Sequence, residues 1–170
     1  MLKWLRHLCA IAVLPFSVTV LVPLWIAERN GVVLHVGTDA AEWLLQLIGL
    51  ALLTLGAGFF AASLRRFAVE GQGTLAPWDP PRRIVVRGPY RYVRNPMISG
   101  VVLLLCGEAA LWLSWPHALW AAAFATINLI YIPLLEEPQL ARRFGASYRD
   151  YCAHVPRLMP RLQPWEPPTE

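Results

Sequence analysis

Arg87-Gly88-Pro89-Tyr90-Arg91-Tyr92-Val93-Arg94-Asn95-Pro96-Met97-Ile98-Ser99-Gly100 is the stretch on which the fold turns. An arginine-studded segment runs without a spacer into an apolar span. Proline pushes the residue before it toward extended geometry, so the chain between Pro89 and Pro96 is a shaped loop. Pro96 suits the first turn of a helix, where a missing N–H is tolerated. The free N–H groups and positive dipole end of that helix, with Arg91 and Arg94 beside them, attract an anion. Lipid phosphates are the plainer partner for the same arginines, and charge alone favours them.

Outward from this turn, four apolar spans are expected: Leu8 to Ala27, Ala40 to about Ser63, Met97 to Trp115, and about Ala118 to Leu135. Each is near the ~20 residues that cross a ~30 Å hydrocarbon core. Pro116 and His117 alone join the last two, which predicts a tight antiparallel hairpin. The chain is 56% hydrophobic and only 15% charged, against about 25% charged in an ordinary soluble domain. The expected fold is therefore all-α, a polytopic membrane protein with four transmembrane helices plus a C-terminal amphipathic cytoplasmic helix. Seven arginines lie between Arg65 and Arg94 and five follow Glu137, whereas Arg29 is the one basic residue between Glu28 and Asp39. The positive-inside rule then puts both termini in the cytoplasm. Lys3, Arg6 and His7 precede the first span, but no A-x-A site follows it, so it is read as a retained helix rather than a signal peptide.

One membrane domain over 1–170 results. It comprises two N-terminal transmembrane helices (1–63), a cytoplasmic loop (64–96), a helical hairpin with its C-terminal segment (97–161), and a Pro-rich tail (162–170). The Gly- and Pro-rich stretch from Gly71 to Pro89, with Trp78, reads as an interfacial loop. Leu140, Phe144, Tyr148, Tyr151 and Val155 recur at helical spacing, which predicts one amphipathic helix. The prolines from Pro156 onward make the end extended and partly disordered. A modest net charge of +4 does not call for nucleic acid. Cys9, Cys106 and Cys152 are scattered, without the spacing of a disulfide framework or a metal site.

Gly100 and Gly107 share one helix face and admit either a neighbouring helix or a flat ligand, the former being the commoner use. Glu108 follows inside the span, where a carboxylate costs about 2.5–3.5 kcal/mol and calls for a partner such as Asn128. Glu136 and Glu137 end the fourth span. Two carboxylates at a helix C-terminus oppose its dipole, so capping does not explain them. Pairing with the arginine turn and binding of a cationic ligand remain equal alternatives. Arg157 and Arg161 could fold back over either site.

The stretch from Gly88 to Gly100 resembles the R-H-P-x-Y-x-G signature of integral membrane methyltransferases, which include isoprenylcysteine carboxyl methyltransferases and phospholipid N-methyltransferases. Glu136-Glu137, Phe144-Gly145, Tyr148, Tyr151 and Val155-Pro156-Arg157 resemble that group's E-E…F-G-x-x-Y-x-x-Y…V-P-R element. The resemblance covers about residues 71–161. It implies S-adenosylmethionine as cofactor, enclosed by the cytoplasmic ends of the last two helices and the C-terminal segment. It also implies a hydrophobic or lipid-like acceptor entering from the bilayer. Carried over by position, Arg91, Tyr92, Arg94, Asn95, Pro96 and Gly100 line the cofactor pocket from one side. Glu136 and Glu137 contact it from the other, and Tyr148, Tyr151 and Arg157 close over it. Asn95 stands where the signature has His, and Ile98 where it has Tyr. Asn cannot act as a base near neutral pH, so no general base is assigned. A bacterial cytoplasmic membrane is the expected location. A nicotinamide-dependent membrane reductase of related architecture and a non-catalytic scaffold are the rival readings.

Overall fold

The computed structural model describes residues 12–70 and 84–166. The start of the first expected span, the loop 71–83 with Trp78, and the last residues of the tail lie outside them. All regular structure among the described residues is helical. The first helix opens in the wide π form over Ala12–Leu21 and continues as α1 (Val22–Asn30). Then come α2 (Ala40–Glu70), a 3-10 turn (Gly88–Arg91), α3 (Pro96–Leu111) and α4 (Trp115–Tyr131). A π segment (Ile132–Glu136) leads into α5 (Glu137–Phe144), and α6 (Ala146–His154) follows.

Among the described residues, two stretches are long and apolar enough to cross a membrane, Ala40–Arg66 and Trp115–Phe144; α3 is apolar but shorter. Only 17% and 11% of their most apolar windows are buried. Helices this apolar belong inside a soluble protein, so their bare faces, with Leu44, Leu47, Ile48, Ile127, Ile130 and Leu134 exposed, suit lipid. The 30 residues from Trp115 to Phe144 rise about 45 Å. Glu136 is the first charged residue in them, so the apolar part ends at Leu135.

The described chain divides into two compact units: residues up to Gly58 with Gly100–Thr126, and Phe59–Ser99 with residues from Ile127 on. In the first, α2 and α3 pack backbone to backbone. A Cβ on Gly56 would lie 2.8 Å from Gly100 O, and one on Gly107 2.8 Å from Leu53 Cγ and 2.9 Å from Gly49 O. The face carrying Gly100 and Gly107 is thus occupied by a helix. Gln46 Nε2 donates to His35 O and Leu111 O while its Oε1 accepts from Gly37 N–H, which satisfies a helix-end carbonyl.

The hairpin turn differs from the expectation. It falls at Trp112–Ser114, with Leu113 at φ 49, and α4 already begins at Trp115. Pro116 takes a first-turn position, where proline is favoured. His117 lies buried within α4, bonded to Ser114 Oγ at 2.7 Å and Pro23 O at 3.1 Å.

A second correction concerns the amphipathic helix, which is two short helices. Gly145 breaks it with φ 61 and ψ −129, a conformation that side-chain-bearing residues avoid. The tail is non-helical as expected, but Pro156–Glu166 is held by specific bonds rather than loose.

Candidate active site

The second unit brings together the arginine turn, α6, the tail, and Glu136 and Glu137 at the junction of the π segment with α5. Pro133 cannot supply an N–H to the carbonyl four residues back. The helix widens into a π turn, and Glu137 N–H reaches back five residues to Ile132 O. Such π turns recur at functional sites. Pro138 sits in the first turn of α5.

The tail is laid along the arginine turn by backbone bonds. Arg94 N–H donates to Pro156 O (2.8 Å) and Asn95 N–H to Arg157 O (3.1 Å); Arg161 N–H donates to Tyr92 O (3.0 Å) and Trp165 N–H to Arg91 O (2.9 Å). Side chains add to this clasp. Asn95 Nδ2 donates to Arg157 O at 3.3 Å, and Ser99 Oγ to Leu158 O at 3.0 Å. An amide suits the Asn95 position because it can donate to a carbonyl without needing a charge. Beneath the clasp, Tyr148, Tyr151 and Val155 form a buried cluster against Leu140, Phe144 and Trp165. The Tyr151 hydroxyl donates to Tyr90 O at 2.6 Å. Pro96 is fully buried.

Glu137 is the centre of the charged arrangement. Its Oε1 accepts from Arg157 Nε at 2.7 Å and its Oε2 from Arg157 Nη2 at 2.9 Å, a two-pronged pairing that only Arg provides. Arg94 Nη1 lies 3.2 Å from Glu137 Oε1 and 2.6 Å from Cys152 Sγ. The Arg94 side chain is 10% exposed and that of Glu137 17%. The Arg157 hydrogen bonds, with the Arg94 charge, hold the Glu137 carboxyl below its usual range against the opposing effect of burial. Arg157 is raised in turn, chiefly by its bond to Glu137. Glu136 moves the other way, pushed up by burial and then by the charge of Glu137. The two neighbouring carboxyls are thereby shifted in opposite directions. Burial likewise raises the phenols of Tyr90, Tyr148 and Tyr151, which stay neutral.

A hollow of about 320 Å³ opens beside Glu137, lined also by Pro133, Pro138, Ala141, Tyr148, Arg149 and Cys152. That is the lower end of the range for small-molecule sites. Of the expected site residues, Glu137 and Tyr148 line this hollow, and Glu136 is not among its lining; Arg94 and Arg157 join it through Glu137, whereas Asn95 belongs to the clasp and Tyr151 to the cluster. Arg91 turns to the tail instead, donating to Trp165 O at 2.9 Å and pairing with Glu166. Tyr92 contributes its carbonyl to the clasp. Gly100 belongs to the other unit, where its carbonyl meets Gly56.

A model of the phospholipid methyltransferase family matches residues 44–147, which include the arginine turn and both carboxylates. The chain belongs to the phospholipid methyltransferase family. It is also similar to methanethiol S-methyltransferase 2 of Bradyrhizobium diazoefficiens, 31% identical over 140 residues. That match covers 82% of this chain and 51% of the relative, so the chain spans about half the length of the curated relative it matches. No solved structure matches it. Membership in this methyltransferase family, with the bare apolar helices, makes the chain a membrane protein. Sequence reasoning misses Cys152 and Trp165, which contact Arg94 and the buried tyrosine cluster. Cys152 lies four residues after Tyr148 on the same helix face, a spacing that was visible; Trp165 reaches the site only through the tail's long-range bonds.

Proposed function

We propose that this family member transfers methyl from S-adenosylmethionine to a small hydrophobic or lipid-like acceptor at the cytoplasmic membrane face. In this reading the chain crosses the membrane four times, with both termini cytoplasmic. The observation that carries it is the Glu137 carboxylate held between Arg94 and Arg157 beside an open hollow.

The residues suit the cofactor. Its aminoacyl end bears an ammonium and a carboxylate, and the site offers partners of both signs. Arg94 Nε is buried with no hydrogen-bond partner among the described residues, a donor that a ligand carboxylate would satisfy. Bound S-adenosylmethionine supplies an electrophilic methyl group on a sulfonium. Arg94 would bind and orient the ligand carboxylate through its Nε donor, while Arg157 holds Glu137 in place. Glu137, which lines the hollow, would bind the ammonium. Tyr148, which lines the hollow, would exclude water, with the Tyr151 ring packed near it. Alignment of nucleophile with the methyl carbon is the main requirement of such a displacement. A carboxylate acceptor needs no base, whereas a thiol or ammonium must first lose its proton. The relative's name places a thiol among the acceptor classes to test.

Purified full-length chain, incubated with methyl-labelled S-adenosylmethionine and either a bacterial lipid extract or methanethiol, tests this. Label should appear in lipid or in a volatile thioether, and fall at least tenfold in Glu137→Gln. A folded protein that labels neither fraction, or that consumes NADPH instead, would overturn the assignment.

A further inference from the structure

Cys152 has no part in the methyl transfer proposed above, yet it lines the hollow beside Glu137. Its side chain is a free thiol, partly exposed. The sulfur lies 2.6 Å from Arg94 Nη1, which also stands 3.2 Å from Glu137 Oε1. The Arg94 side chain is only 10% exposed. Its Nε, on the same guanidinium that meets the sulfur, is buried without a partner among the described residues. A thiol is a weak acceptor, so this guanidinium keeps donor capacity that an oxygen placed on the sulfur would use. Cys106, the other cysteine among the described residues, sits in the apolar helix α3, and apolar surroundings leave a thiol inert.

From this thiol in an open hollow, set against a buried and incompletely bonded guanidinium, we propose that Cys152 is a modification site. It takes an oxygen atom from a hydroperoxide, and the product closes the hollow to its ligand. The sulfur attacks one peroxide oxygen; an S–O bond forms and the O–O bond breaks. The other oxygen of hydrogen peroxide leaves as hydroxide, takes the thiol proton and departs as water. The thiol is oxidised by two electrons to a sulfenic acid, and the peroxide is reduced. The new oxygen accepts from the Arg94 guanidinium, which favours an oxygen acceptor over sulfur. It thereby competes for the donor assigned above to the ligand carboxylate. The oxidation stands apart from the cofactor assignment; its effect on binding rests on that reading.

The full-length chain in detergent is treated with hydrogen peroxide, trapped with dimedone, which adds to sulfenic acids, and digested for mass spectrometry. The adduct should form at least tenfold faster at Cys152 than at Cys106. This readout uses the parent protein alone and needs no variant to fold. In parallel, peroxide should weaken S-adenosylmethionine binding by the parent at least tenfold, and dithiothreitol should restore it. Cys152→Ser and Cys152→Ala should each show the same affinity before and after peroxide. No adduct at Cys152, or an equal rate at Cys106, would overturn the modification site. An adduct that leaves cofactor affinity unchanged, or an equal loss of affinity in the Cys152 variants, would overturn the closure. A parent that forms the adduct but never binds S-adenosylmethionine would refute the methyl-transfer reading while supporting the modification site.

Discussion

Replacing Glu137 by Gln should release the tail from the arginine turn. Glu137 accepts two bonds from Arg157, at 2.7 and 2.9 Å, and stands 3.2 Å from Arg94. Gln keeps one acceptor, loses the charge, and leaves Arg94, 10% exposed, without its counter-ion. Bonds to charged groups contribute about 1.5–3 kcal/mol each, and breaking a buried pair costs about 3–5 kcal/mol. Arg157 is one-third exposed, so solvent screens part of the loss; about 2–3 kcal/mol remains. The Arg94 and Asn95 amides, bonded to Pro156 O and Arg157 O, report this directly. At about 1.4 kcal/mol per tenfold, hydrogen exchange of the segment around them should speed up roughly 30- to 150-fold. The interior of α4 should keep its protection. Exchange within threefold of the parent would refute the claim that Glu137 secures the clasp.

Other perturbations follow from the same contacts. Tyr151→Phe removes the bond to Tyr90 O and should lower unfolding stability by about 1–3 kcal/mol, the cost of an unsatisfied buried acceptor, measured by thermal melting in detergent. Gly145→Ala meets nothing within 4 Å, so its effect is backbone strain at φ 61, about 1–3 kcal/mol; a matched change at Ala146 should be far milder. Gly107→Val would push a side chain into Leu53 and Gly49 O and should cost about 1–3 kcal/mol or more, seen as a lower melting temperature. The Glu137 pKa is depressed below the ordinary 4.5, so its stabilisation is complete above that value and lost as pH falls through the folded pKa. Proteolysis of the tail should therefore accelerate only below about pH 4.5, and Glu137→Gln should abolish that dependence.

Much of this architecture is legible in the chain because it rests on local signals. The apolar runs of α2 and α4 mark themselves, and so does the Arg-rich turn before Pro96. For Glu136 and Glu137 the sequence leaves pairing with the arginine turn and binding of a cationic ligand as equal readings; in the structure Glu137 pairs with Arg94. Gly145 was in plain view beside Phe144, yet the apolar spacing from Leu140 to Val155 runs through it unbroken, so periodicity hid the break. Leu113 carries the left-handed turn without any Gly or Asn signal, which is why Pro116 drew attention instead. The order of the tail is hidden from the sequence for a different reason. Its order comes from Arg91, Tyr92, Arg94 and Asn95, more than sixty residues away in the chain, and prolines report only that a helix ends.

The central claim is that Arg94, Glu137 and Arg157 together form the polar end of an S-adenosylmethionine site. Calorimetric titration of the purified chain with S-adenosylmethionine, alongside Arg157→Lys and Glu137→Gln, tests it most directly. The account predicts saturable binding by the parent and at least tenfold weaker binding by each variant. No heat with the correctly folded parent, or equal affinity in all three proteins, would contradict it.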